Sequence, residues 1–184
     1  MKRAFDILLS LFALALLSPV LLLTALAVFV DSGRPILFKQ RRVGLGGREF
    51  GMYKFRSMVQ GAAAIGPYFT SAGDPRITRV GRFIRRTSLD ELPQLLNVLR
   101  GDMSLVGPRP DVPAQRGLYS EADWALRCSV RPGITGMAQA LVRSNATHER
   151  RLALDLQYVR EQGLLTDFKV LWWTLARLSG QGSN

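Results

Sequence analysis

The sequence predicts a mostly helical α/β protein with one small β-hairpin and a membrane-associated N-terminal helix. Three observations predict it. Residues Ile7–Val30 carry no charge. Two strand-like runs, Ile36–Val43 and Arg48–Phe55, flank the turn Gly44-Leu45-Gly46-Gly47. Further along, apolar residues recur at helical spacing, as in Leu92, Leu95, Leu96 and Leu99.

At 184 residues the chain is long enough for a domain with a real core. A net charge of +11 implies an anionic partner: nucleic acid, an anionic membrane surface or a phosphorylated substrate. The single cysteine, Cys128, excludes an intramolecular disulfide framework and fits a reducing compartment. One cysteine and one histidine are too few for a Cys/His zinc site. Cys128 reads as a small packed residue rather than a nucleophile, and His148 as a surface residue.

The uncharged N-terminal run, if one straight helix, reaches about 36 Å, enough to cross the hydrocarbon core. It is too long for a cleaved signal peptide, although Lys2-Arg3 and Ala25-Leu26-Ala27 imitate one. A single-pass helix and a re-entrant helix remain. Pro19 stands mid-segment, where it removes a backbone hydrogen bond and clashes with the Ala15 carbonyl. Ser18 can bond the freed backbone groups. Each half then reaches about 16 Å, half the hydrocarbon thickness. Both flanks are basic, with Lys2 and Arg3 before and Arg34, Lys39, Arg41 and Arg42 after, which places both ends in the cytoplasm.

After the hairpin, Lys54 and Arg56 alternate around Phe55 in an extended segment and would share a face. The hairpin glycines form no phosphate loop, because no Gly-Lys-Ser/Thr follows. Residues 61–76 are rich in Gly, Ala and Pro and read as a loop. A short helix is expected over Arg79–Arg86, then a helix with Leu92, Leu95, Leu96 and Leu99 on one face, ended by Gly101. Pro108 and Pro110 restrict the backbone around Arg109 and hold its guanidinium in place. Ser120–Arg127 reads as helix and Arg131-Pro132-Gly133-Ile134-Thr135-Gly136 as a turn. Arg150–Glu161 is a helix with Leu152, Leu156 and Val159 inward. The last helix, Asp167–Leu178, pairs Trp172 and Trp173 with Lys169 and Arg177, which suits an interfacial helix or a core-packed one. The polar tail Ser179–Asn184 is expected to fray.

The chemistry concentrates in Thr87–Asp102. Asp90 and Glu91 are adjacent carboxylates, preceded by Arg79, Arg82, Arg85 and Arg86. Ser88 with Glu91 three residues on reads as a capping box, with the dyad in the first helical turn. Free N–H groups and the helix dipole stabilise negative charge there. A carboxylate pair beside a phosphate-attracting surface points to phosphoryl chemistry, and the placed Arg109 suits bidentate phosphate or nucleobase recognition.

These residues resemble a family. The matching parts are Ser18-Pro19, Tyr53-Lys54-Phe55-Arg56-Ser57-Met58, Arg85-Arg86-Thr87-Ser88-Leu89-Asp90-Glu91-Leu92-Pro93-Gln94-Leu95, Asn97–Ser104, Gly107-Pro108-Arg109-Pro110 and Arg131–Gly136. In this order they resemble the small monotopic phosphoglycosyl transferases of the bacterial sugar transferase family. The chain is similar to the minimal catalytic form, without the extra N-terminal membrane and sensor-like domains of larger members. It departs from the family over Gly136–Asn145, where many members carry Gly-x-Ala-Gln-Val-x-Gly-Arg.

The resemblance implies a re-entrant membrane helix over residues 1–31, broken at Ser18-Pro19. Residues 32–184 would form a cytoplasm-facing catalytic domain with interfacial amphipathic helices, on the bacterial inner membrane. It implies transfer of a sugar-1-phosphate from a UDP-sugar to a polyprenol phosphate, undecaprenyl phosphate being expected. Asp90 would be the nucleophile, and Asp90 and Glu91 would hold Mg2+. Lys54, Arg85 and Arg109, with Arg56, Arg86 and Arg131 as further candidates, would bind the phosphates and nucleotide. The lipid bilayer is a partner, nucleic acid is not, and a homodimer is compatible with it. The rival reading is a non-catalytic, membrane-anchored basic module that binds anionic lipid or nucleic acid. The sequence does not name the sugar.

Overall fold

The structure is a computed structural model that describes residues 1–62, 64–66, 70, 73–142 and 146–178. The tail and Arg143–Asn145, part of the departure from the family pattern, lie outside the described residues. Helices dominate: α1 Lys2–Ser32, α2 Arg79–Arg86, α3 Gln94–Arg100, α4 Glu121–Arg127, α5 Met137–Leu141, α6 His148–Glu161 and α7 Leu164–Leu178. The strands β1 Leu37–Val43 and β2 Glu49–Phe55 form the expected hairpin, joined through Gly44 and a 3-10 turn, Leu45–Gly47. The strands β3 Ser104–Val106 and β4 Gly133–Thr135 form a second, two-stranded sheet.

The chain divides into two compact units. The first, Phe12–Gln40 with Met52–Gln94, contains Asp90 and Glu91 and is termed the dyad unit. The second, Met1–Leu11, Arg41–Gly51 and Leu95–Asn184, contains Arg109 and is termed the loop unit.

α1 is long and apolar enough to cross a membrane, and most of its length is exposed. Pro19 sits inside one uninterrupted helix. The Ser18 hydroxyl donates to the Ala15 carbonyl at 2.9 Å, the carbonyl that the Pro19 nitrogen cannot serve. In the dyad unit Val28 of α1, Phe55 of β2 and Ile84 of α2 form a buried core, with Leu21, Ala25, Ile36, Val80 and Leu89 packed against it. α2 starts where the Thr78 side chain accepts from Gly81 N. A Cβ on Gly81 would lie 2.0 Å from the Ser57 carbonyl oxygen, so only glycine lets the helix approach that segment. The expected loop 61–76 is closed at its base by an antiparallel bridge between Met58 and Ile77.

In the loop unit the structure corrects the reading of Arg131–Gly136 as a turn, because Gly133–Thr135 within it pairs with Ser104–Val106. The two are short parallel strands, with Ser104 opposite Gly133 and Val106 opposite Thr135. A Cβ on Gly133 would stand 2.1 Å from Gly107 N, so these glycines serve close backbone contact. α6 buries Leu156 and Val159 as expected, and Leu154, Asp155 and Tyr158 as well. The Tyr158 hydroxyl shares its one proton between the Val106 carbonyl at 2.8 Å and Asp167 at 2.7 Å. The first turn of α1 is tied into the same place. Lys2 pairs with Asp167, Asp6 accepts from Ser104 Oγ at 3.0 Å and Leu105 N at 3.1 Å, and Arg3 donates to the Val98 and Leu99 carbonyls near the end of α3. These residues serve the fold as well as the basic flank read from the sequence.

Candidate active site

Asp90 is placed by the way α2 ends. The Thr87 hydroxyl donates back to the Phe83 carbonyl at 2.9 Å, and Ser88 N donates to the Arg85 carbonyl at 3.3 Å. Ser88 then takes a left-handed backbone, φ 57° and ψ 15°, and its side chain caps nothing. The expected capping box is therefore corrected: Ser88 is the N-cap of the next turn by position, with the dyad in that turn, but no side-chain bond caps it. Leu89–Glu91 is a single 3-10 turn, closed by Glu91 N donating to the Ser88 carbonyl at 3.1 Å. Pro93 has no N–H, and α3 begins only at Gln94. The dyad thus lies before α3 and not in its first turn.

α3 also differs from the expected leucine stripe. Leu95, Val98, Gln94 and Asn97 are buried, while Leu96 is exposed. Asn97 is accommodated because its amide donates to the Gly51 carbonyl at 2.8 Å and to Asp102 at 3.1 Å.

Asp90 is buried and Glu91 half-buried. Lys54 donates to Glu91 Oε1 at 2.7 Å, with side chains only 15% and 21% exposed. The core explains this meeting. Phe55 enters it from β2 and Leu89 packs against it, so the residues next to each, Lys54 and Asp90, are fixed by the same apolar contacts. A largely buried carboxylate next to Asp90 is thereby compensated by a cation.

The other arginines of this unit take different positions. Arg56, expected to share a face with Lys54, is buried. Its guanidinium donates to the Ser32 carbonyl, to Ser32 Oγ at 3.1 Å and to the Gly33 carbonyl at 2.6 Å, closing the C-terminal end of α1. Arg85, in the last turn of α2, is half-buried and donates to Thr70 Oγ1 at 3.1 Å; Arg86 is exposed. Nearby, hydrogen bonds from Arg76 hold the Asp74 carboxyl down at about 2, and the charge of Arg85 adds to the effect.

In the loop unit Arg109 is half-buried, between two prolines that carry no N–H. Each carbonyl from Pro108 to Asp111 meets a donor: Gly133 N at 2.9 Å, Arg127 Nη2 at 2.5 Å, Arg42 Nη1 at 2.9 Å and Val43 N at 2.9 Å, in that order. Arg127 also donates from Nε to Asp155 at 2.9 Å and pairs through Nη1 with Asp111 at 2.5 Å. Asp111 takes a further bond from the Tyr119 hydroxyl at 2.8 Å. Burial pushes the Asp155 carboxyl up to about 6, against the pull of Arg127, and raises the Tyr119 phenol. Arg131 donates from Nε to the Gly101 carbonyl at 2.9 Å. Sequence reasoning missed these contacts of Arg127 and Asp155 and read Arg42 only as part of the basic flank, because their partners lie far away in the chain.

Among the described residues no group of three or more His, Cys, Asp or Glu can enclose a metal. Asp90 and Glu91 supply two carboxylates, a donor set that fits Mg2+ when phosphate oxygens and water complete its shell.

A family model described as bacterial sugar transferase matches residues 1–181. The chain belongs to this family. Its relatives include the undecaprenyl-phosphate glucose phosphotransferase of Komagataeibacter xylinus, 46% identical over 96% of this chain and 35% of the relative. The UDP-glucose:undecaprenyl-phosphate glucose-1-phosphate transferase of Caulobacter vibrioides is 44% identical, over 96% of this chain and 69% of the relative. The UDP-N-acetylgalactosamine-undecaprenyl-phosphate N-acetylgalactosaminephosphotransferase of Aeromonas hydrophila is 41% identical, over 99% and 44%. The chain thus spans less than half of two of these relatives. Those named for glucose and for N-acetylgalactosamine are nearly equally similar to it, so identity does not select a sugar.

Proposed function

We propose that this sugar transferase moves a sugar-1-phosphate from a UDP-sugar to undecaprenyl phosphate, at the cytoplasmic face of a bacterial inner membrane. The observation that carries the reading is the buried Asp90 beside Glu91, whose charge Lys54 compensates. An Asp90 carboxylate oxygen attacks the β-phosphorus of the donor. A phosphorus–oxygen bond to Asp90 forms, the bond from the β-phosphorus to the bridging oxygen breaks, and UMP leaves with that oxygen. A phosphate oxygen of the lipid then attacks the same phosphorus and releases Asp90, giving undecaprenyl-diphosphate sugar. The covalent intermediate lets two anionic substrates use one site in turn. Lys54, Arg85, Arg86 and Arg109, with Arg56 and Arg131 as supports held by backbone carbonyls, offset phosphate charge. Mg2+, held by Asp90 and Glu91, would supply neutralisation of charge on the donor diphosphate.

The membrane reading has its own support. The first turn of α1 is bonded to polar groups of the loop unit, and Val28 near its other end packs in the dyad unit. Each end of α1 is thus tied to folded structure, which supports a re-entrant helix over residues 1–31 with Ser18 and Pro19 at its midpoint. Residues 32–184 form the catalytic domain. On α7, Leu165, Phe168, Trp172 and Leu175 are exposed at helical spacing and fit an interface. Cysteines introduced singly as Ala4→Cys and Arg34→Cys, in a Cys128→Ser background, are expected to escape an impermeant thiol reagent added outside spheroplasts. Labelling of one and not the other would establish a spanning helix.

The reaction is tested by UMP release from the purified protein with Mg2+, undecaprenyl phosphate and a panel of UDP-sugars, each with and without the lipid. Lipid-dependent release from one donor is expected. A folded protein that binds anionic vesicles yet releases no UMP from any donor is instead a basic membrane module.

A further inference from the structure

We propose that Arg127, with Arg42, is the positioning device for the Arg109 side chain. The inference rests on the reading of Arg109 as a contact for the donor's diphosphate. The direction of a Cα–Cβ bond is set by the two peptide planes that meet at the Cα. At Arg109 the preceding plane is held through the Pro108 carbonyl by Gly133 N at 2.9 Å, a bond that belongs to the β3–β4 region. The following plane is held through the Arg109 carbonyl by Arg127 Nη2 at 2.5 Å. The next carbonyl, that of Pro110, is held by Arg42 Nη1 at 2.9 Å. Neither proline can donate a hydrogen bond, so the loop cannot fix these planes by pairing its own N–H groups in a ladder.

Arg127 is suited to the task because its guanidinium is itself fixed on three sides. Nε faces Asp155 at 2.9 Å, Nη1 faces Asp111 at 2.5 Å, and Nη2 faces the Arg109 carbonyl. The Tyr119 ring lies 5.4 Å from its centre, and its hydroxyl holds Asp111 at 2.8 Å. The side chain is 7% exposed, which keeps water from competing for the carbonyl. A lysine carries the charge but lacks the planar fork that serves three acceptors in fixed directions.

The test is a double-mutant cycle read as affinity for UDP, by titration calorimetry of the full chain in detergent. Arg109→Ala is expected to weaken UDP binding about tenfold and Arg127→Lys about fivefold. Because Arg127 acts through Arg109, the double variant should bind within about twofold of Arg109→Ala alone. Independent effects, which multiply to about fiftyfold, would overturn the inference while leaving the Arg109 reading in place. An Arg109→Ala variant with unchanged UDP affinity would overturn both. Arg42→Ala supplies a second cycle of the same form, with a smaller loss, and decides the matter if thermal melting shows that Arg127→Lys does not fold.

Discussion

Asp90→Asn should lower UMP release by about a thousandfold or more, a loss of about 4 kcal/mol of transition-state stabilisation. The asparagine side chain has nearly the shape of aspartate, so it fits the same buried position on the Leu89–Glu91 turn. It carries no anionic oxygen to attack phosphorus. The cations proposed to meet the donor phosphates, Lys54, Arg85 and Arg109, are kept, so the loss falls mainly on kcat rather than on the donor KM. Two measurements check this: steady-state UMP release, and transfer of labelled phosphosugar onto the protein in the absence of lipid acceptor. Both should disappear, while the melting curve and extraction by detergent stay as in the parent protein. Turnover within tenfold of the parent would remove Asp90 from the role of nucleophile.

The second large effect is expected at Lys54. Lys54→Met keeps an unbranched apolar stem but deletes the cation that stands 2.7 Å from Glu91. The Glu91 carboxylate, only about one-fifth exposed, then adds uncompensated negative charge beside Asp90, where an anionic donor must approach. We expect kcat/KM to fall about a hundredfold, or about 2.7 kcal/mol. If Lys54→Met retains kcat/KM within about threefold, the pair is a fold contact without a role in the reaction.

Much of this was legible in the sequence where the signal is local. The uncharged run of α1, the glycine turn of the hairpin and the periodicity of α6 all depend on neighbours within a few residues. β3 and β4 were not legible. Three-residue strands show no alternation, and Ser104 finds its partner Gly133 far along the chain. Their glycines resemble turn glycines, although their purpose is close contact of two backbones. The dyad itself could be read, but its setting could not. The Ser88 pattern fits a helix start on paper, yet its N–H is already committed to the Arg85 carbonyl, which ends α2. Arg127 carried no signal either, since its function depends on Arg109, Asp111 and Asp155 meeting around it.

The contact between Lys2 and Asp167 has a consequence for the order of assembly. Its two residues are separated by 165 positions. During synthesis α1 is made well before the acid that meets its first turn, and it has its apolar surface to hide in the interval. On the re-entrant reading, the helix would enter the lipid before its polar end has found its partner. Lys2, Arg3 and Asp6 would spend that interval hydrated at the bilayer surface, and closure of the loop unit would be a late event, awaiting α7.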